Sequence, residues 1–126
     1  MSFQPGLPVG NSLEAVGPET GIWIRATSAA TLTQQAPVPA QVDIPLCTGW
    51  NLVSYPSADF EALPGALDGI AGQYDSVYAY DARLGASAWQ HYGPSSPDWH
   101  NNLSGITWGK GYWIEATQDC TLTVEN

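Results

Sequence analysis

Residues 111–117 have the sequence GYWIEAT, and residues 21–27 have the related sequence GIWIRAT. The correspondence keeps a constant offset of ninety residues and extends to the Thr-Leu-Thr triplets at residues 31–33 and 121–123. A fixed spacing over so many positions indicates an internal repeat. Nothing upstream of the first copy resembles residues 49–97, so the sequence predicts one complete module preceded by the closing part of another.

The first copy alternates between apolar and larger or charged side chains. Ile22 and Ile24 point to one side of an extended chain, whereas Trp23 and Arg25 point to the other. This two-residue period is typical of a β-strand whose two faces have different surroundings. The stretch is therefore predicted to be a strand.

The Thr-Leu-Thr triplet that follows predicts a second strand, so residues 21–33 are expected to form a β-hairpin. A two-stranded hairpin is marginally stable in water, and its apolar side chains, Leu32 among them, need cover. The chain accordingly divides into a partial repeat (residues 1–35), a proline-rich linker (residues 36–41) and a complete module (residues 42–126).

The complete module is rich in short alternating runs that end at glycine or proline, a pattern that favours strands and tight turns. We predict a mostly β fold, a small β-sandwich or barrel-like module of about seven or eight short strands with one short helix. The partial-repeat hairpin precedes it. The predicted strands lie in residues 42–47, 49–55, 75–81 and 88–92, residues 111–124 are predicted to form a closing hairpin, and the helix lies in residues 60–70.

Composition limits the possible partners. The chain of 126 residues has 3 basic and 12 acidic side chains, which give a net charge of −9. Binding to nucleic acid or to an anionic membrane surface requires a basic patch, so both are disfavoured. No apolar stretch is long enough to span a bilayer, so no membrane insertion is expected.

Three segments carry a family resemblance: GWNLVSYP at residues 49–56, YDSVYAYD at residues 74–81 and GKGYWI at residues 109–114. As a set they resemble a repeat module of bacterial and archaeal secreted or cell-surface proteins, and the match covers about residues 45–124. The resemblance implies an extracellular, often tandem, non-catalytic module, and it brings no catalytic residues with it.

Two features bear on an extracellular location. Cys47 and Cys120 are either two buried thiols or one disulfide between the strand before Gly49 and the last strand, and the extracellular composition favours the disulfide. Closing so long a loop contributes about 4 kcal/mol in the chain-entropy model. Asn102 begins an Asn-Leu-Ser glycosylation pattern, which is a short and weak motif.

Catalytic and cofactor chemistry is not indicated. His91 and His100 lack the spacing of a zinc site, and no serine lies in a nucleophile-elbow sequence. Asp75, Asp81 and Asp119 are candidate calcium ligands, but no alternating acidic loop with a closing glutamate contains them. We therefore predict neither an enzyme nor a bound cofactor.

The six tryptophans are the strongest side-chain signal. Trp23, Trp50 and Trp113 lie in predicted strands and are interpreted as core or hairpin packing. A second group lies beside glycine and proline loops and is expected to be partly exposed, where flat aromatic rings stack on sugars. This candidate glycan-binding group consists of Trp89, Tyr92, Trp99 and Trp108.

Two functions remain open. The first is a structural module in which the hairpin either folds onto its own chain or inserts into a neighbouring copy, a head-to-tail contact that leads to rings or filaments. The alternative is a carbohydrate-binding or adhesion module. The first function assigns the assembly surface, including an Arg25–Glu115 charge pair between copies, to the residues Ile22, Trp23, Ile24, Arg25, Leu32 and Glu115.

Overall fold

A computed structural model describes residues 1–6 and 11–126 of the chain. Residues 7–10, part of the predicted partial repeat, lie outside the described residues. The structure is mostly β, which confirms the predicted fold class. The part of the chain that the structure describes contains eight strands, which are β1 (Gln41–Leu46), β2 (Gly49–Ser54), β3 (Glu61–Ala62), β4 (Tyr74–Tyr80), β5 (Trp89–Tyr92), β6 (Gly105–Ile106), β7 (Gly111–Ala116) and β8 (Cys120–Glu125).

The strands form three antiparallel sheets. The largest has the order β2-β7-β4-β5, so β7 lies in its interior with hydrogen-bonded neighbours on both sides. Strands β1 and β8 form a two-stranded sheet, and β3 pairs with β6. The predicted closing hairpin in residues 111–124 is therefore wrong, because β7 and β8 lie in different sheets. Strand β7 is the GYWIEA stretch. It pairs with β2 on one side and with β4 on the other.

One hydrophobic core lies between the inner faces of the four-stranded and two-stranded sheets. Alternate residues of each strand face it, as the two-residue period predicts. Residues of the first 3-10 helix close the core on one side. The most deeply buried side chains are Ile44, Leu67, Ile70, Val77, Ile106, Tyr112, Ile114 and Leu122.

Among the described residues, helical structure is limited to three short 3-10 helices. They span Gly65–Ile70, Ala82–Ser87 and Asp98–His100. The helix predicted in residues 60–70 is therefore present only after Pro64, because a proline is tolerated at the start of a helix but not in its interior.

The predicted N-terminal hairpin is wrong. No residue between 21 and 33 belongs to a strand, and the pairing nearest to it is an isolated antiparallel bridge from Thr20 to Val53. The related strand β7 is held by two neighbouring strands, whereas the first copy has only the outer edge of β2 beside it. The same sequence pattern therefore forms a strand in one place and an extended coil in the other.

The predicted disulfide is also absent, and both cysteines are free thiols. Cys120 lies directly opposite Leu46 in the β1–β8 ladder, and it packs against the core. Cys47 follows Leu46 by one residue and is exposed. Because neighbouring residues of a strand point to opposite faces, this register separates the two sulfur atoms.

A side-chain bridge ties two turns together. Asp119, in the turn between β7 and β8, accepts hydrogen bonds from the Thr48 backbone N–H (2.8 Å) and from the Thr48 hydroxyl (2.9 Å). Thr48 lies between β1 and β2, so one carboxylate connects the two chain reversals on this end of the module. The backbone and hydroxyl hydrogen bonds lower the pKa of Asp119.

This bridge predicts a loss of stability in acid. A carboxyl group whose pKa is lowered by folding stabilises the protein fully above its unfolded pKa of about 3.9 and loses that contribution as the pH falls through the folded value. We expect the melting temperature to drop below about pH 4 and to drop less in Asp119→Asn, which cannot titrate. Thermal melts of both proteins over the acid range test this. Superimposable acid profiles would show that the bridge makes no pH-dependent contribution.

Candidate binding and assembly face

The outer face of the four-stranded sheet is turned away from the core and is unusually aromatic. The strand register places Leu52, Trp113, Tyr78 and His91 side by side in one row across all four strands. These residues alternate with the buried positions Val53, Ile114 and Val77 and with the partly buried Tyr92 on the opposite face. The sequence folds in this way because each strand carries apolar residues on both of its faces.

Two half-exposed tryptophans flank this row. Trp50 on β2 packs against Tyr78 with ring centroids 5.8 Å apart, and Trp89 on β5 packs against the same tyrosine at 6.4 Å. Trp50 and Trp89 are 52% and 50% exposed. With Trp113 they surround an open depression of about 560 Å³. We call Trp50, Tyr78, Trp89 and Trp113 the aromatic depression.

Residues 17–24, here called the N-terminal segment, cross the edge of this face. The Ser54 backbone N–H donates to the Glu19 carbonyl oxygen (3.0 Å), and the Ser54 hydroxyl donates to the Pro18 carbonyl oxygen. Thr20 forms the bridge to Val53. The segment thus begins to pair with the outer edge of β2 and then leaves the sheet plane.

Beyond Thr20 the N-terminal segment lies on the outer face of the sheet. The Trp23 ring stacks almost parallel to Trp89, with an interplanar angle of 11° and a centroid distance of 6.0 Å, and it also contacts Tyr80 at 5.0 Å. Ile22 and Ile24 line a smaller cavity of about 230 Å³ next to Leu52. The apolar side chains of the first repeat copy are therefore only partly covered within the chain.

A second ring cluster lies beside β5. His91 is 6% exposed, and its ring packs against Tyr78 and His100 at centroid distances of 4.7 Å and 4.4 Å. The His100 ring also contacts Trp99, with centroids 5.5 Å apart. The His91 Nδ1 atom has no hydrogen-bond partner in the described part of the chain. Asn102 is exposed, and its side-chain oxygen accepts a hydrogen bond from the His91 backbone N–H (2.7 Å).

The predicted glycan-binding residues do not converge. Trp89 lies in the aromatic depression, but Tyr92 faces the core and is partly buried against it. Trp99 and Trp108 are 83% and 64% exposed, and neither lines the depression. The interpretation of Trp50 and Trp113 as core residues is likewise wrong, because both lie on the outer face.

Few cations are present near this face. Arg83 forms a close ion pair with Asp81 (2.6 Å), and Lys110 approaches the same carboxylate at 3.8 Å. The hydrogen bonds from Arg83 hold the pKa of Asp81 well below its usual range. Arg25 is exposed and forms no ion pair with Glu115 among the ion pairs of the described residues, although Glu115 lies on the outer face. The predicted Arg25–Glu115 pair between copies therefore stays a prediction.

No cluster of three or more histidine, cysteine or acidic side chains suited to a metal ion occurs within residues 1–6 and 11–126. Over the same residues, none of the helices combines the length and hydropathy that a membrane-spanning helix requires. Comparison of the chain with protein-family models, with curated proteins and with solved structures finds no match. Fold and site together define the chain as a small antiparallel β module with an aromatic outer face.

Proposed function

We propose that this chain is a non-catalytic, extracellular or cell-surface structural module that assembles with copies of itself through its N-terminal segment. The observation that supports the proposal is the exposure of the apolar positions of the first repeat copy. Ile24 is 61% exposed and Leu32 is 75% exposed, whereas their equivalents Ile114 and Leu122 are each 1% exposed. Apolar surface of this kind gains stability when it is removed from water.

The contacts of the N-terminal segment suit an exchange between copies. They consist of a short pairing at the edge of β2 and of rings stacked on the outer face, and an adjacent copy offers the same edge and the same rings. When an element is exchanged in this way, the native contacts are kept and two chains become linked. Such a contact keeps the pairing at β2 and the stacked rings, and the exposed side chains of Ile24 and Leu32 lose further apolar surface where the two linked chains meet.

The connection to the module has the length that exchange requires. Residues 25–40 separate the N-terminal segment from β1, and residues 25–38 are exposed. An extended chain of this length spans roughly 50 Å, which exceeds the diameter expected for a domain with a radius of gyration near 14 Å. The segment can therefore reach a neighbouring sheet, and repeated exchange in one direction gives a ring or a filament.

Three chains test the proposal by size-exclusion chromatography with light scattering over a wide concentration range. We expect the full chain to form concentration-dependent oligomers, and a chain without residues 1–35 to be a monomer with the same β-sheet circular dichroism. Removing residues 28–36 shortens the reach by about 30 Å. This change disfavours docking within one chain and is expected to increase the oligomer fraction. A full chain that remains monomeric throughout, or a shortened chain that gains no oligomer, contradicts the proposal.

A further inference from the structure

The aromatic depression offers a lining made of aromatic rings. It has a volume of about 560 Å³ and is shallow and open to solvent, so it presents its ring faces to a ligand without enclosing it. The lining side chains are those of Trp50, Tyr78, Trp89 and Trp113, so it contains aromatic rings from all four strands of the sheet. Rings that belong to a hydrogen-bonded sheet are held in place before a ligand arrives, which reduces the ordering cost of binding.

The rings form walls at an angle to one another. Trp50 is inclined at 55° to Tyr78, and Trp89 is nearly perpendicular to the same ring at 79°. Tyr78 and Trp113, which are opposite each other in the β4–β7 ladder, are the less exposed pair. They form a floor between the two outer tryptophans. A flat sugar ring prefers one broad stacking surface, whereas inclined walls suit a compact, rounded group.

The charge around the depression favours a cation. None of the four lining side chains is charged, and the faces of aromatic rings carry a negative electrostatic potential. Glu115 lies on the same outer face, opposite Trp50 in the ladder, and is half-buried. The whole chain has a net charge of −9, and two of its three basic side chains are engaged with Asp81. A positively charged ligand is therefore attracted both locally and over longer distances.

We propose that the aromatic depression binds the trimethylammonium group of a small soluble molecule such as choline. The four rings contact the methyl groups and attract the diffuse positive charge, and Glu115, opposite Trp50 in the ladder, supplies a counter-charge. A primary ammonium ion fits less well, because among the four lining side chains only the Tyr78 hydroxyl can accept a hydrogen bond to replace its strong hydration. Binding and assembly share part of this face, because Trp23 of the N-terminal segment stacks on Trp89, and Trp113 lines both the depression and the smaller cavity. Trp50 has no ring contact with Trp23 among the described residues, so it reports on ligand binding alone.

Titration of the full chain with choline chloride, followed by tryptophan fluorescence and by calorimetry, tests the assignment. The decisive control is the uncharged isostere of choline in which a tert-butyl group replaces the trimethylammonium group. It has the same shape but no charge, so we expect it to bind at least roughly tenfold more weakly. Cellobiose serves as the sugar probe and is expected not to bind.

Matched variants locate the site. Trp50→Ala removes one wall and is expected to weaken choline binding roughly tenfold, while Trp99→Ala, an exposed tryptophan outside the depression, leaves it unchanged. Glu115→Gln is expected to weaken choline binding and not that of the isostere. Equal binding of choline and the isostere, preference for cellobiose, or equal effects of Trp50→Ala and Trp99→Ala would each overturn the proposal. If a second copy of the chain occupied the depression, choline would not bind at any protein concentration at which oligomers form. That result would also overturn the proposal.

Discussion

Replacing Ile114 with alanine is expected to lower the free energy of unfolding by about 2–5 kcal/mol, the usual cost of truncating a large aliphatic side chain in a packed core. Ile114 is 1% exposed and lies on the inner face of β7, between β2 and β4. The loss combines the transfer of the removed methyl groups with the cavity that they leave. Urea unfolding followed by tryptophan fluorescence gives the midpoint and the free energy.

Ile24→Ala is the matched control, because Ile24 is the equivalent residue of the first repeat copy. In the monomer Ile24 is 61% exposed and lies outside any strand. Its truncation is expected to change the free energy of unfolding by no more than about 0.5 kcal/mol. The two variants remove the same atoms from related sequences, so the difference between them measures packing alone. Equal losses would mean that residues 21–33 are packed as β7 and β8 are.

The two repeat copies also show what repetition in a sequence can predict. The alternation in residues 111–116 correctly predicted a two-faced strand, and the same alternation in residues 21–26 did not. Strand formation depends on the neighbours that supply hydrogen bonds and packing, and it is weakly encoded in a single segment. A repeated sequence therefore predicts the same pattern of side chains. It predicts the same strand only where partner strands are present.

The positions of side chains along the strands explain two further corrections, those of the cysteine pair and of Trp113. The cysteine pair failed because Cys120 faces Leu46 rather than Cys47, a difference of one residue that no spacing in the sequence reveals. A shift of one position in a strand moves a side chain to the opposite face. The interpretation of Trp113 as core or hairpin packing failed for a different reason, because here the sequence pattern was sufficient. Trp113 lies between the buried residues Tyr112 and Ile114, so the period of two places it on the outer face.

The aromatic depression could have been predicted only in part. Alternation within β2 and β7 was sufficient to place Trp50 and Trp113 on one face of each strand. Bringing them beside Tyr78 and Trp89 requires the strand order β2-β7-β4-β5, in which strands distant in sequence become neighbours. The six longer strands of the complete module were therefore predictable from local sequence, and the site was not, because it is a product of topology.

Gly21→Ala is expected to release the N-terminal segment and abolish assembly. A Cβ atom at Gly21 would lie 2.6 Å from the Val53 carbonyl oxygen and 2.8 Å from the Val53 nitrogen. These are backbone atoms of a paired strand, and they cannot move without disturbing its hydrogen bonds. The segment must therefore shift away from the edge of β2. Overlap of this kind typically costs about 1–3 kcal/mol. The stacking of Trp23 on Trp89 is expected to be lost together with the pairing at Thr20.

Gly69→Ala controls for the effect of an alanine on the unfolded chain. Replacing a glycine stabilises a protein by about 0.4–1 kcal/mol through the unfolded state wherever the native backbone tolerates a side chain. A Cβ atom at Gly69 meets nothing within 4 Å. We therefore expect Gly69→Ala to be neutral or slightly stabilising and to assemble normally, while Gly21→Ala elutes as a monomer with altered tryptophan fluorescence. Because exchange preserves the contact at Val53, the same substitution blocks docking within a chain and between chains. Normal assembly of Gly21→Ala would mean that copies meet through some other surface.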